Sequence, residues 1–119
     1  MSIAERILLA LSRSPDSKDY PRGENEDTDS QALTLLRRVY PQLDTLVAGR
    51  RVVDFGCGIG SQSVALAAEC KCQVIGIDSN RETLAKAVSK ANERGLLPGQ
   101  VFFAASITPE MRGKFDVVI

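Results

Sequence analysis

Between Arg51 and Ala68 the sequence reads RVVDFGCGIGSQSVALAA. The run Val52-Val53-Asp54-Phe55 ends in glycines at alternate positions, Gly56, Gly58 and Gly60, and then passes at once into an Ala-rich helical pattern. This predicts a strand, a tight turn and a helix. Glycine accepts positive φ and, lacking Cβ, lets a ligand lie against the backbone, while the first N–H groups of the following helix have no partner within it. The turn is therefore a candidate ligand cradle.

Its spacing restricts the ligand. A dinucleotide fingerprint is G-x-G-x-x-G, whereas Gly56-Cys57-Gly58-Ile59-Gly60 is G-x-G-x-G, and an acid, Asp54, stands inside the strand just before it. Downstream, Gln73-Val74-Ile75-Gly76-Ile77-Asp78 predicts a second strand. Ser79-Asn80-Arg81-Glu82 has the capping-box form, and Leu84, Val88 and Ala91 then share a helical face until Gly95. Val101–Ala105 predicts a third strand and Phe115–Ile119 a fourth, inside which the sequence stops. Strands alternating with helices at this spacing make βαβ units with right-handed crossovers. The expected class is α/β, a doubly wound parallel sheet.

Upstream, residues 1–49 predict helices that precede the sheet domain of residues 50–119. Ser2-Ile3-Ala4-Glu5 opens a helical stripe of Ile3, Ile7, Leu8 and Leu11, a surface for packing on the domain or on a second copy in a homodimer. Residues 13–29 are polar and broken by Pro15, Pro21 and Gly23, which predicts a long loop carrying Tyr20. Leu33, Leu36 and Tyr40 then fall on one helical stripe with Leu35 and Val39 beside it, and Pro41 to Val47 predicts a second short helix closed by Gly49.

Composition removes several functions. Fifteen basic residues cancel fifteen acidic ones, leaving no electrostatic footprint for nucleic acid or an anionic membrane. No apolar run reaches membrane-spanning length, and Ile7–Leu11 is too short for a secretion signal, so the expected compartment is cytoplasmic. Histidine is absent, which excludes a histidine base, a triad or a histidine metal ligand within this span. Of the three cysteines, Cys57 reads as a small filler in the turn, and Cys70-Lys71-Cys72 lacks the further ligands that a metal needs. No metal site is expected.

Val-Val-Asp-Phe-Gly-Cys-Gly-Ile-Gly closely resembles the first motif of class I S-adenosylmethionine-dependent methyltransferases. Asp78 at the end of the second strand, the corner Ala104-Ala105-Ser106-Ile107 and Phe115-Asp116-Val117-Val118-Ile119 resemble three further motifs in the family's order. The resemblance covers about Val52 to Ile119. It implies a Rossmann-like fold whose cofactor, S-adenosyl-L-methionine, lies beyond the strand ends. Asp54 would face its ammonium, with Phe55 and Cys57 in the same segment, and the backbone of Gly56, Gly58 and Gly60 would lie along its methionine part. Asp78 would hold the ribose, Ser79 and Asn80 would flank the adenine, and Ser106 with Ile107 would border it. Ser106 departs from the Asp or Asn usual at that corner. Its hydroxyl can still accept a hydrogen bond, as a neutral and shorter group.

The implied reaction is an in-line displacement that needs collinear alignment rather than a covalent nucleophile, in keeping with the missing histidine. The family's sheet is larger than four strands, so the chain is expected to be the cofactor-binding, amino-terminal portion of a longer methyltransferase or a truncated relative. The remainder would supply the acceptor pocket, and the acceptor and any catalytic base lie outside these motifs. Two other readings are a non-catalytic S-adenosylmethionine-binding or scaffold protein and an NAD-dependent oxidoreductase, the latter disfavoured by the glycine spacing and Asp54.

Overall fold

A computed structural model describes residues 31–119 of the chain; the apolar stripe of residues 2–11, the polar stretch 13–29 and the homodimer contact expected there lie outside the described residues. Helices α1 (Thr34–Val39) and α2 (Leu43–Val47) lead into β1 (Arg51–Phe55), α3 (Ser61–Glu69), β2 (Gln73–Ile77), α4 (Arg81–Glu93), β3 (Val101–Ala104), a 3-10 turn at Pro109–Met111 and β4 (Val117–Val118). The strands form one parallel sheet in the order β3-β2-β1-β4. The chain thus winds outward through β2 and β3 and returns to the other flank of β1. That reversal opens a crevice at the carboxyl ends of β1 and β4, where open α/β sheets bind ligands.

Side chains of a strand alternate between faces, and the parallel register sorts them into rows. Val52 stands beside Val74 and Val101 in one such row, and these pack with Val64, Ala65 and Leu66 of α3 and Ala91 of α4 in a single core that also takes Leu33, just before α1, and Leu43 and Val47 of α2. The opposite face carries Val53, Ile75 and Phe102 in register, with Phe102 largely exposed.

Several element ends differ from expectation. The third strand stops at Ala104, one residue early, its last bond to β2 being from Asp78 N–H to the Ala104 carbonyl at 3.2 Å. Regular β4 is only Val117–Val118, yet its ladder runs from Asp116 N–H on Arg51 O (2.9 Å) to Phe55 N–H on Ile119 O (3.0 Å), close to the expected span. In α4 the cap is Asn80 rather than Ser79: its Oδ1 accepts from the N–H groups of Glu82 and Thr83. The buried face of α4 is Leu84, Ala87 and Ala91, while Val88 is 45% exposed. A small side chain at 87 is what close approach to α3 requires. Tyr40 also leaves the α1 stripe, since the chain departs from helical geometry there (φ −124°, ψ 84°).

Candidate functional site

The site is built on a row that crosses the sheet, Asp54 on β1, Gly76 on β2 and Phe103 on β3, all directed toward α3 and α4. Gly76 is a gap in this row. A Cβ there would stand 2.6 Å from Cδ1 of Phe103 and 2.9 Å from Sγ of Cys57, so the missing side chain is what lets the ring and the thiol fold over β2.

The glycine turn starts where β1 leaves the sheet. The Ile77 carbonyl accepts from both Gly56 N–H (2.8 Å) and Cys57 N–H (3.0 Å), which fixes the start of the turn to the end of β2. Gly56 and Gly58 have φ of 68° and 56°, with nothing within 4 Å of where a Cβ would stand. They present open backbone. Gly60 differs: at φ 81°, its Cβ would meet Ala87 Cβ at 2.7 Å and the Phe103 ring at 3.0 Å. Its role is close packing of the turn on α4 and β3, so of the three glycines expected to cradle a ligand, two face open space and one faces the core. Gly60 is also the N-cap of α3 and offers no side chain to cap that helix.

Asp78 joins the two loops. Its Oδ2 accepts from Gly58 N–H at 2.9 Å and its Oδ1 from Asn80 N–H at 2.8 Å. One carboxylate thus holds the glycine turn and the start of α4 together, half-buried at the mouth of the crevice. Each oxygen has a second acceptor direction. Asn80, expected to flank a ligand, spends its side-chain oxygen on capping α4, whereas Ser79 is exposed beside it. Ser106 is exposed and Ile107 half-buried just past the end of β3, on the same strand-end side as Asp78.

Asp54 is only 4% exposed and accepts the Ser63 hydroxyl at 2.6 Å. Burial pushes its carboxyl above the usual carboxylate range, and the Ser63 bond opposes that shift. Its acceptor bond thus comes from a hydroxyl of α3 rather than from an N–H of the glycine turn. Phe55 lies on the opposite face of the strand and is 50% exposed, its N–H given to Ile119 O. The Cys57 thiol is pushed up to about 12, first by burial and then by the Asp54 and Asp78 charges, and so stays neutral.

Three contributors were missed in the sequence: Ser63, Gly76 and Phe103. Ser63 is a hydroxyl in the otherwise apolar buried run Val64-Ala65-Leu66-Ala67, a signal that was available. The other two depend on a neighbour across the sheet. A concavity of about 500 Å³ also opens on the far face of the sheet, between Arg51, Gln73 and Ile75 and the β3–β4 connection at Thr108 to Phe115. It sits at the start of the strands, away from the glycine turn. Among the described residues no group of three metal-ligating side chains is assembled, and no helix is long and apolar enough to cross a membrane.

A family model described as a methyltransferase domain matches residues 52–119, the span over which the motif resemblance was read. The chain is 35% identical over 98 residues to the ubiquinone biosynthesis O-methyltransferase of Methylococcus capsulatus, covering 77% of this chain and 41% of that protein. Among solved structures it superposes on magnesium protoporphyrin IX methyltransferase from Synechocystis PCC 6803, determined with bound SAH, at TM-score 0.58 and 28% identity, covering 76% of this chain and 40% of that one. The (4+2)-cyclase SpnF is similar at TM-score 0.59 and 28% identity, with 76% and 32% covered. The matched part of the chain therefore covers less than half of each.

Proposed function

This chain belongs to the methyltransferase-domain family, and from that premise we propose that it binds S-adenosyl-L-methionine at the glycine turn and supplies the cofactor-binding part of a methyl-transfer enzyme. The observation that carries the proposal is the pairing of open backbone at Gly56 and Gly58 with the Asp78 carboxylate 2.9 Å from Gly58 N–H. A cradle without side chains and an anchored anion one loop away are what an extended ligand with a ribose at its centre requires.

In this reading Asp78 uses the second acceptor direction of each oxygen for the vicinal ribose hydroxyls, and the two backbone N–H groups that it already holds keep it from turning away. The N–H groups of the first turn of α3, behind an N-cap with no side chain, favour negative charge at the amino-acid end. Asp54 lies below the turn as the counter-charge for an ammonium group. Ser106 and Ile107 border the base from the β3 corner. When bound, S-adenosyl-L-methionine supplies a methyl group made electrophilic by its sulfonium. The chain's own contribution is orientation, which suits a span without histidine.

Calorimetric titration with S-adenosylhomocysteine and, separately, NAD tests the proposal. Binding of S-adenosylhomocysteine alone is expected; binding of NAD in its place would overturn it. A second reading, cofactor binding without methyl transfer, is favoured by one observation: a protein named as a cyclase has this same fold. It predicts the same titration and no methyl transfer by the whole protein.

A further inference from the structure

Ser63 lies in the first turn of α3, fully buried, with its hydroxyl 2.6 Å from Oδ2 of Asp54. Among the described residues it is the one donor to that carboxylate, and Asp54 is itself almost entirely removed from water. A buried carboxylate with a single hydrogen bond has one thing fixing its orientation and one thing, beyond the helix terminus above it, favouring its charge. We infer that Ser63 is a positioning residue of the cofactor site: its hydroxyl holds Asp54 beneath the glycine turn as an anion, with the other oxygen left to the ligand.

The surroundings give no substitute. The glycine turn brings Cys57, whose thiol is neutral, and the β2–α4 loop brings Asp78, a charge of the same sign. The first turn of α3 carries no charged residue, and from α4 the Lys90 ammonium is bonded to Ser61 Oγ at 3.3 Å. Burial favours the protonated acid and the Ser63 bond favours the anion. Removing the hydroxyl leaves burial unopposed, so Asp54 would protonate at higher pH and be free to turn. A protonated Asp54 is no counter-charge for an ammonium.

The inference rests on the S-adenosylmethionine reading of the site, and its test separates the two. The Asp54 carboxyl carbon is followed by NMR across a pH titration of the chain and of Ser63→Ala and Ser63→Thr, and each is titrated with S-adenosylhomocysteine at one pH below and one pH above the Asp54 midpoint measured for Ser63→Ala. Ser63→Ala is expected to move the Asp54 midpoint upward and to weaken binding about tenfold on the acid side of it, with a smaller loss on the alkaline side. Ser63→Thr, which keeps the hydroxyl, is expected to restore both. Should Ser63→Ala fail to fold, Ser63→Cys, nearly isosteric and a weaker donor, provides the same comparison. An unmoved Asp54 midpoint, or a loss of affinity equal at both pH values, overturns the role of Ser63. Failure of the unmutated chain to bind at either pH counts against the cofactor reading instead, while the Asp54 midpoint still decides on Ser63.

Discussion

Oδ2 of Asp78 accepts the Gly58 N–H at 2.9 Å, across twenty residues of sequence, so the acid at the end of β2 is also the clasp on the turn that follows β1. In the proposed site, one side chain would then couple ligand recognition to loop geometry. Asp78→Ala is therefore expected to act twice: it should weaken S-adenosylhomocysteine binding by roughly 1.5–3 kcal/mol, as for hydrogen bonds to a charged group, and lower stability by about 1–2 kcal/mol, because Gly58 and Asn80 lose their acceptor. Asp78→Asn keeps one acceptor oxygen and should fall between. Calorimetry and urea unfolding measure the two effects, and an unchanged affinity for Asp78→Ala would remove this residue from the site.

The glycines of the turn predict opposite outcomes for similar substitutions. Gly58 has φ 56° and open space around it, so Gly58→Val should fold, with a backbone cost of about 1–2 kcal/mol, and lose ligand binding as the side chain fills the cradle. Gly60→Ala adds a single methyl, but that methyl would lie 2.7 Å from Ala87 Cβ and 3.0 Å from the Phe103 ring at φ 81°. Its loss should appear in the unfolding midpoint, on the order of 3 kcal/mol from strain and overpacking together. Normal binding by folded Gly58→Val would count against the turn as a cradle.

Local signals were legible where one residue type answers one local demand. Glycines at positive φ, the short apolar runs of β1 and β2, and the Ala-rich run into α3 placed the turn after β1 and Asp78 at the end of β2, because each depends on neighbours close in sequence. What was not legible depends on contacts across the fold. Val88 and Ala87 are equally good members of a helical stripe, and only the approach of Gly60 to Ala87 selects the smaller one for the interface. Ser79 and Asn80 are both capping residues, and the bond from Asn80 N–H to Asp78 decides between them by turning the chain one residue later. Gly76 looks like an ordinary weak point in a strand until the register sets Phe103 beside it.

The three thiols should be quiet in the folded chain. Burial and two neighbouring carboxylates push Cys57 up to about 12, burial and the bond to Asp44 push Cys70 up to about 11, and burial raises Cys72. Near pH 8 the thiolate fraction of each is then small. Reaction with a disulfide reagent should run on the order of a hundredfold slower than for free cysteine, and reach full rate after denaturation. A fast single-thiol phase in the native chain would place one cysteine in a different environment.

Arg37 and Asp44 tie α1 to α2 through two bonds, Nε to Oδ2 at 3.0 Å and Nη2 to Oδ1 at 2.8 Å, with the Cys70 thiol also donating to Oδ1 at 3.4 Å. The Arg37 bond is the main reason that the Asp44 carboxyl falls to about 2. A carboxyl lowered by folding contributes stability that is fully present above its unfolded value of about 3.9 and is lost as pH falls from there through about 2. The side chains are 38% and 51% exposed, so solvent screening limits the pair to about 1 kcal/mol at most. Asp44→Asn should therefore lower stability by less than about 1 kcal/mol near pH 7, by a smaller amount in high salt, and by almost nothing near pH 2. Urea midpoints for both proteins at the three conditions test this. Only their difference is informative, since other carboxyls also titrate over the same range. A difference that grew on acidification would mean that Asp44 is not stabilised as an anion by Arg37.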